Sequence, residues 1–397
     1  MPHTALVAGG GIGGLACALA CARAGWSVRL LERSAQFSEV GAGVQIGPNV
    51  TRRLHQWGLQ RALQALAAYP DVLHVRSART GRTLGRLQLG DVALQRYGAP
   101  YATIHRADLH GALLAAVQAS DLVRCDLNSA VEHFEQTADQ VTVRASSVGT
   151  LAADMLVGAD GLWSVVRQGL LGDGPPRRTG HLAYRALVAQ SSLPASLRSQ
   201  HITVWLGPDM HVVQYPVRCG EQLNLVGIVR GEVPAAAIQP ASESDPWDRH
   251  GDAMTFRAAV AGACAPLREL AEAIAQWRLW VLCDRAPMVG PQQHGKGRIV
   301  LLGDAAHPMR PYLAQGAGMA IEDATALGAA LADAESDLPA ALQGFAAARW
   351  QRNARVQRRA IRNGEIFHAR GVVQLGRDAA LGLLGERLLD MPWLYSE

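Results

Sequence analysis

The chain has 397 residues, of which 49% are hydrophobic and 18% charged, enough for a large core divided between two lobes. Its formal net charge of +4 is small for that length and gives no reason to expect a nucleic-acid partner, although mild basicity suits an anionic small molecule. No apolar run reaches membrane-spanning length, the glycine-cut N-terminal stretch lacks the marks of a signal peptide, and none of the six cysteines forms a C-x-x-C pair, so integral membrane contact, secretion and zinc or dithiol chemistry are not expected. The thiols are read as reduced and the protein as cytoplasmic.

Ala5-Leu6-Val7-Ala8 reads as a short buried strand that ends in Gly9-x-Gly11-x-x-Gly14. Leu15 to Ala24 is an alanine-rich helix capped by Gly25, with Cys17 and Cys21 as small buried residues, and Ser27 to Leu31 is the next strand. In such a βαβ unit Gly9 permits the tight turn, Gly11 lets the backbone approach a pyrophosphate, and Gly14 lets helix and strand pack closely. The helix N-terminus offers unpaired N–H groups and a positive dipole end to phosphates. Glu32, at the end of the second strand, is placed to accept a hydrogen bond from a ribose 2′-OH. This unit binds a dinucleotide; by itself it does not separate FAD from NAD.

Further on, Arg106 to Ala119 has helical spacing with Asp108 in its first turn, Val141 to Arg144 reads as a strand, and Ala153 to Gly158 as a strand feeding a loop. From about Arg177 the texture changes to strand-like runs at His181–Val188, His201–Leu206, His211–Val217 and Gln222–Val229, which predict an antiparallel sheet and a second lobe. Pro240 to Pro246 is loop-like, helical pattern resumes over Ala253 to Gln276, and a strand at Arg298–Leu302 returns the chain to the first lobe. Glu322 to Gly364 is mostly helix. Its arginines Arg349, Arg352, Arg355, Arg358, Arg359 and Arg362 recur at helical spacing without interleaved aromatics, which predicts a solvated face or an interface rather than RNA binding.

Three more segments complete the pattern: Gly41-Ala42-Gly43-Val44-Gln45 running to Pro48-Asn49, Gly158-Ala159-Asp160-Gly161 running to Ser164 and Arg167, and Gly303-Asp304-Ala305-Ala306-His307-Pro308 running to Gln315-Gly316-Ala317-Gly318-Met319. With them the chain resembles the single-component FAD-dependent aromatic hydroxylases over almost its whole length. It looks most like salicylate hydroxylases, 3-hydroxybenzoate 6-hydroxylases and 6-hydroxynicotinate 3-monooxygenases. The resemblance implies an α/β fold: a Rossmann-type FAD-binding domain with an inserted antiparallel-sheet substrate domain and C-terminal helices. Its segments would be 1–175 (FAD-binding, first part), 176–280 (substrate-binding), 281–340 (FAD-binding, second part) and 341–397 (C-terminal helical).

The resemblance also implies site residues. Asp304 would bind the ribityl and ribose hydroxyls of FAD. Pro311, Gly316, Ala317, Gly318 and Met319 would lie at the pyrimidine edge of the isoalloxazine, where helix N–H groups meet the negative charge of reduced flavin. Arg106 would approach the phosphates, Gln45 the flavin region and Arg33 the adenosine. Val131 would either touch the adenine or sit in the core. Asp160 and Gly161 belong to a segment linked to FAD and NAD(P)H binding, or else Asp160 pairs locally with Arg167.

For the chemistry, the resemblance implies that NADH or NADPH reduces FAD, that O2 forms a flavin C4a-hydroperoxide, and that its distal oxygen goes to a small aromatic, phenolic or N-heteroaromatic acid. A phenol ionises only near ~10, so a base is useful. His211 and Tyr215 are four apart on a strand and share one side. By the resemblance His211 is the base, and Tyr215 is a hydrogen-bond partner or a wall in the substrate pocket. Arg185, His307, Arg310 and Tyr312 are further substrate candidates, with packing or capping as the other reading of His307. No metal is expected, and a homodimer is a family trait. Pro311 stands where 3-hydroxybenzoate 6-hydroxylases carry Gln, and Tyr312-Leu313-Ala314-Gln315 differs from the salicylate hydroxylases, so the ring substrate stays open. The alternative function is a non-oxygenating flavin reductase or oxidase. Trp277-x-x-Trp280 lacks the spacing of a flavin halogenase, and a regulatory nucleotide-binding protein without turnover is the reading from another class.

Overall fold

A computed structural model describes residues 3–37, 42–231, 249–332 and 337–396. Gly41 and the loop expected at Pro240–Pro246 lie outside the described residues. The chain divides into two compact units, one made of Met1–Glu39, Leu109–Arg177 and Cys283–Ile361, the other of Val40–Asp108, Arg178–Leu282 and Arg362–Glu397. The second unit therefore gathers 40–108 and the C-terminal residues around the 178–282 segment. Among the described residues no helix is long and apolar enough to cross a membrane.

The first unit is built on a six-stranded sheet in the order Gly295–Lys296, Ile299–Leu301, Met155–Gly158, Thr4–Ala8, Ser27–Leu31, Val123–Asp126. All neighbours are parallel except the short first pair. Ala5 to Ala8, Met155 to Gly158 and Ile299 to Leu301 are buried throughout, as a parallel sheet covered on both faces requires. Gly149–Ala153 and Val141–Ala145 form a separate three-stranded antiparallel sheet with Val131–Gln136. Helix Ile12–Arg23 lies against helix Gly316–Ala332 through small residues. A Cβ on Gly328 would stand 3.1 Å from the Cβ of Ala20, and one on Gly13 would stand 3.3 Å from the Cβ of Ala320. Cys17 and Cys21 are buried free thiols on the first of these helices.

The second unit carries an eight-stranded sheet in the order Arg249–Gly251, Trp277–Asp284, Arg177–Ala189, Gln222–Arg230, Met210–Val217, Ile202–Gly207, Val72–Ser77, Thr83–Gln88. The four runs read from the sequence are its centre. Val72–Ser77 and Thr83–Gln88 extend it from the 40–108 segment, and Ile202–Gly207 pairs with Val72–Ser77 in parallel. One face holds Tyr184, Trp205, Met210, Val212, Leu223 and Leu225 against Phe256, Leu267 and Leu270. These last three come from two helices, Ala253–Ala259 and Ala265–Ala273, rather than the single stretch the pattern suggested. Pro266 at the start of the second makes the break local, since proline is tolerated only in a helix's first turn. The opposite face carries His211, Val213 and Tyr215.

The arginine row of helix Leu338–Phe367, expected to be a solvated face or an interface, is solvated in part and buried in part. Arg349 is buried, with its Nε 2.8 Å from Asp323 and an Nη 3.0 Å from Glu322. Arg352 is bidentate to Glu322 at 2.6 and 2.8 Å. Only Arg355, Arg358 and Arg362 of the row are exposed. Asp323 is fully buried and accepts from four donors: the N–H of Gly303 (3.2 Å), His307 Nε2 (2.5 Å), Arg349 Nε (2.8 Å) and Asn353 Nδ2 (2.9 Å). Burial alone would raise its pKa, but His307 and Arg349 outweigh burial and hold the carboxyl well below the usual range. His294, pushed down to about 4 by burial, is neutral: it accepts from Asn353 and donates to the carbonyl of Leu301.

Removing one member of such a set strands the others. Asp323→Asn is expected to cost about 3–5 kcal/mol in a chemical-unfolding experiment. Because the folded pKa is depressed, the carboxylate's stabilisation is present above its unfolded value of about 3.9 and is lost as pH falls below it. The variant should lose that part of the acid dependence, and an unchanged stability–pH curve would contradict the assignment.

Candidate active site

In the first unit the glycine turn has the geometry its spacing predicts. Gly9 has φ +100° and donates to the carbonyl of Leu31 at 2.8 Å. A Cβ on Gly14 would fall 1.8 Å from the carbonyl oxygen of Gly9, so only glycine fits there. Gly11 caps the helix without a side-chain hydrogen bond, and the first turn holds no acidic residue, which leaves the amide end open to an anion. Glu32 is half-buried and spans the turn: Oε2 accepts from the N–H of Gly10 at 2.6 Å and Oε1 from the N–H of Ser34 at 2.8 Å. Arg33 beside it is exposed. Val131 is partly buried against the apolar cluster of Leu6, Val141 and Val143. His110 carries no local sequence mark of a role at this turn. Its buried Nε2 donates to the carbonyl of Gly10 at 2.8 Å, bracing the turn from the partner that lies 100 residues away in the chain.

The second glycine turn is held from three sides. Gly303 has φ +59° and gives its N–H to Asp323. Asp304 is exposed at the start of this turn. Arg167 donates to the carbonyls of Ala305 (3.0 Å) and Ala306 (2.5 Å). Its ionic partner is Asp173, at 2.5 Å, so the local pair expected with Asp160 is not the one formed. Asp160 instead accepts from the Ser164 hydroxyl (2.5 Å) and the N–H of Val166 (3.1 Å), and burial pushes its carboxyl upward despite them. Asp160 therefore supports the N-terminus of helix Val165–Leu171, whose N-cap is Ser164. His307 is fully buried on Asp323.

Pro311–Leu313 is one 3₁₀ turn, Ala314 takes φ +52°, and helix Gly316–Ala332 follows with no acid in its first turn. Met319 is fully buried, so its side chain belongs to the core and only its backbone borders the turn. Tyr312 is buried as well, and Arg310 is already bound to Asp284 at 2.8 Å.

In the second unit, His211 and Tyr215 share a face of the sheet as the alternation required. His211 is buried, its Nδ1 2.7 Å from His368 Nε2 and its ring edge-on to Phe367. Burial first, then His368 and His181, hold its pKa well below the ordinary imidazole range. The Tyr215 hydroxyl donates to the carbonyl of Gly43 at 2.7 Å, and Asn224 Oδ1 accepts the N–H of Gly43 at 2.6 Å. A Cβ on Gly43 would sit 2.5 Å from the Tyr215 ring, which explains that glycine by packing. Gln45 accepts from the Tyr101 hydroxyl at 2.8 Å, and Arg106 opens helix Arg106–Gln118 with its N–H on the carbonyl of Ala42. Arg185 stands on the same sheet, its guanidinium 3.8 Å over the Trp280 ring. The first unit thus offers two amide-rich turns suited to a long phosphate-bearing cofactor, and the second a neutral imidazole beside a tyrosine.

Comparisons with known proteins give the chain a family. A family model described as an FAD binding domain matches residues 3–222 and 270–360. The chain is 39% identical to a 3-hydroxybenzoate 6-hydroxylase of Polaromonas naphthalenivorans (strain CJ2), over 98% of this chain and 95% of that one. It is 38% identical to a 3-amino-4-hydroxybenzoate 2-monooxygenase of Streptomyces platensis, over 99% and 96%. Among solved structures, a salicylate hydroxylase substrate complex superposes with a TM-score of 0.82 at 28% identity, covering 100% of this chain and 96% of that one.

Asp304 is exposed, so its removal spares the core. Asp304→Ala should purify with little flavin absorbance while its unfolding temperature without cofactor stays near wild type. Full FAD occupancy with unchanged affinity would remove Asp304 from the cofactor site.

Proposed function

We propose a reaction for a chain that belongs to the FAD-dependent aromatic hydroxylases: it oxidises NADH or NADPH, takes up O2 and hydroxylates the ring of a small aromatic acid. The protein is a flavoprotein monooxygenase, and FAD when bound supplies the electron and oxygen chemistry. The residues present suit that cofactor. Backbone amides at Gly11 to Gly14 receive the pyrophosphate, Glu32 receives the ribose, and Asp304 with the amides of Gly316 to Gly318 receives the ribityl chain and the pyrimidine edge.

The observation that carries the reading is the imidazole–tyrosine pair on one sheet face of the second unit. Hydroxylation needs an electron-rich ring, which a phenol becomes on losing its proton. A flavin reductase needs no such base. His211 is kept neutral by burial and its histidine neighbours, so it can accept a proton throughout the neutral range. In this assignment its Nδ1–H donates to His368 Nε2, which fixes the tautomer and makes Nε2 the accepting atom. Tyr215, whose pKa burial raises, stays protonated and orients the substrate oxygen or walls the pocket. The same proposal gives the enzyme a cytoplasmic setting, from its free thiols, and a homodimeric form, as a family trait.

His211→Ala should lower kcat/KM at pH 7 by about 10²–10⁴-fold. The loss should shrink toward pH ~10, where a phenol ionises unaided. An unaltered pH–rate profile would remove His211 as the base. In the wild type the working form is the unprotonated ring with a depressed pKa, so activity should fall on the acid side only below pH 6.5. His368→Ala opens the packing around His211 and removes a neighbouring titratable ring. Its acid limb should move to higher pH, and an unmoved limb would contradict the coupling.

A further inference from the structure

We infer that Arg185 binds the carboxylate of the aromatic substrate. This rests on the hydroxylation proposed above and assigns the residue that recognises the acid group of its substrate.

Arginines taken into this protein's interior are matched with acids. Four are buried among the described residues, and each has a carboxylate: Arg167 and Arg285 on Asp173, Arg349 on Asp323 and Glu322, and Arg377 on Asp378. Arg185 is half-buried, and no carboxylate among the described residues pairs with it, a condition it shares with half-buried Arg76 and Arg257; what sets it apart is its surroundings. Its Nε is buried without a hydrogen-bond partner, and the charged or titratable groups acting on it are Tyr215 and a second cation, Arg106. Burial lowers its pKa to about 10, which still leaves the guanidinium charged at neutral pH. A desolvated cation with no anion is costly unless a ligand supplies one.

The surroundings define which anion. Arg185 pairs in register with Val226, and Val226 with Val213; the next row along the same face is Leu187, Asn224 and Tyr215. Asn224 is fully buried, and with its Oδ1 taken by Gly43, its Nδ2 has no partner. Two unmatched donors therefore stand on the face that also bears Tyr215 and His211. Trp280 covers one flat side of the guanidinium and leaves its in-plane N–H edge as the way to bind. That edge fits the two coplanar oxygens of a carboxylate in a bidentate pair. A phosphate of a dinucleotide would satisfy the same charge, but it would not bring an aromatic ring to the tyrosine and imidazole of this face.

The test compares 3-hydroxybenzoate with 3-hydroxybenzamide, which differ at the carboxylate alone, as titrants of the FAD-loaded enzyme followed by flavin absorbance. Arg185→Met should weaken 3-hydroxybenzoate about 10- to 100-fold, the range of one charge-assisted hydrogen-bonded contact, and leave 3-hydroxybenzamide within twofold. Arg185→Lys should recover part of the loss. FAD content and the KM for NAD(P)H should not change. Equal loss for both ligands, or a loss confined to FAD content or to the NAD(P)H KM, would overturn the assignment and, in the second case, make the anion a phosphate. If 3-hydroxybenzoate and salicylate both fail to stimulate NAD(P)H oxidation by the wild type, the proposed hydroxylation of such acids fails. If either stimulates it and Arg185→Met binds that acid as tightly as wild type does, only the carboxylate assignment fails.

Discussion

One buried carboxylate organises the first unit. Asp323 lies beyond water on helix Gly316–Ala332 and takes hydrogen bonds from the Gly303 turn, from His307 after it, and from Arg349 and Asn353 on the following helix. An acid so placed is tolerated only because every neighbour aimed at it is a donor. The consequence is geometric. The Gly303–Asp304 turn and the amide end of the helix are fixed to one atom group, and Arg167 clamps the next two carbonyls of the same turn. Parts that would receive a flavin's ribityl chain and ring edge are therefore held by ion pairs in the core, so their positions do not depend on the cofactor itself.

The second unit uses the opposite device. Its sheet face is not internally matched: His211 is kept neutral, Tyr215 is tied to backbone, and the Nε of Arg185 and the Nδ2 of Asn224 have no partner. Unmatched donors cost stability, and a protein keeps them where a ligand completes them. The first unit thus ties its Gly303 turn to Asp323 and Arg167, whereas the face assigned to substrate keeps two donors unsaturated.

Much of this was legible in the sequence. The Gly9–Gly14 turn, the strands flanking it and the Gly303–Asp304 turn follow from local rules, because a strand, a glycine of positive φ and a helix cap are decided by adjacent residues. The pairing of His211 with Tyr215 on one face follows from strand alternation alone. What escaped depends on distant partners. The arginine spacing at Arg349 and Arg352 shows a helix face, but whether that face meets water depends on Glu322 and Asp323 from the preceding helix. His110 has no local mark of function, since its partner is a backbone carbonyl 100 residues earlier. Val72–Ser77 and Thr83–Gln88 carry His74, Arg76 and Arg86 and become strands by joining a sheet whose other members lie past residue 177. The Arg167 pair was misread because both Asp160 and Asp173 lie within local reach, and the helix between them points the guanidinium toward the second.

The most direct test of the central claim is a turnover under ¹⁸O2 with the reduced enzyme and a panel of phenolic and pyridine carboxylates, read by product mass. The account predicts that one panel acid both accelerates NAD(P)H oxidation and gains a single ¹⁸O atom on its ring, in step with NAD(P)H consumed. Rapid NAD(P)H oxidation that yields only hydrogen peroxide, with every ring unchanged, would contradict it and leave a flavin reductase or oxidase on the same fold.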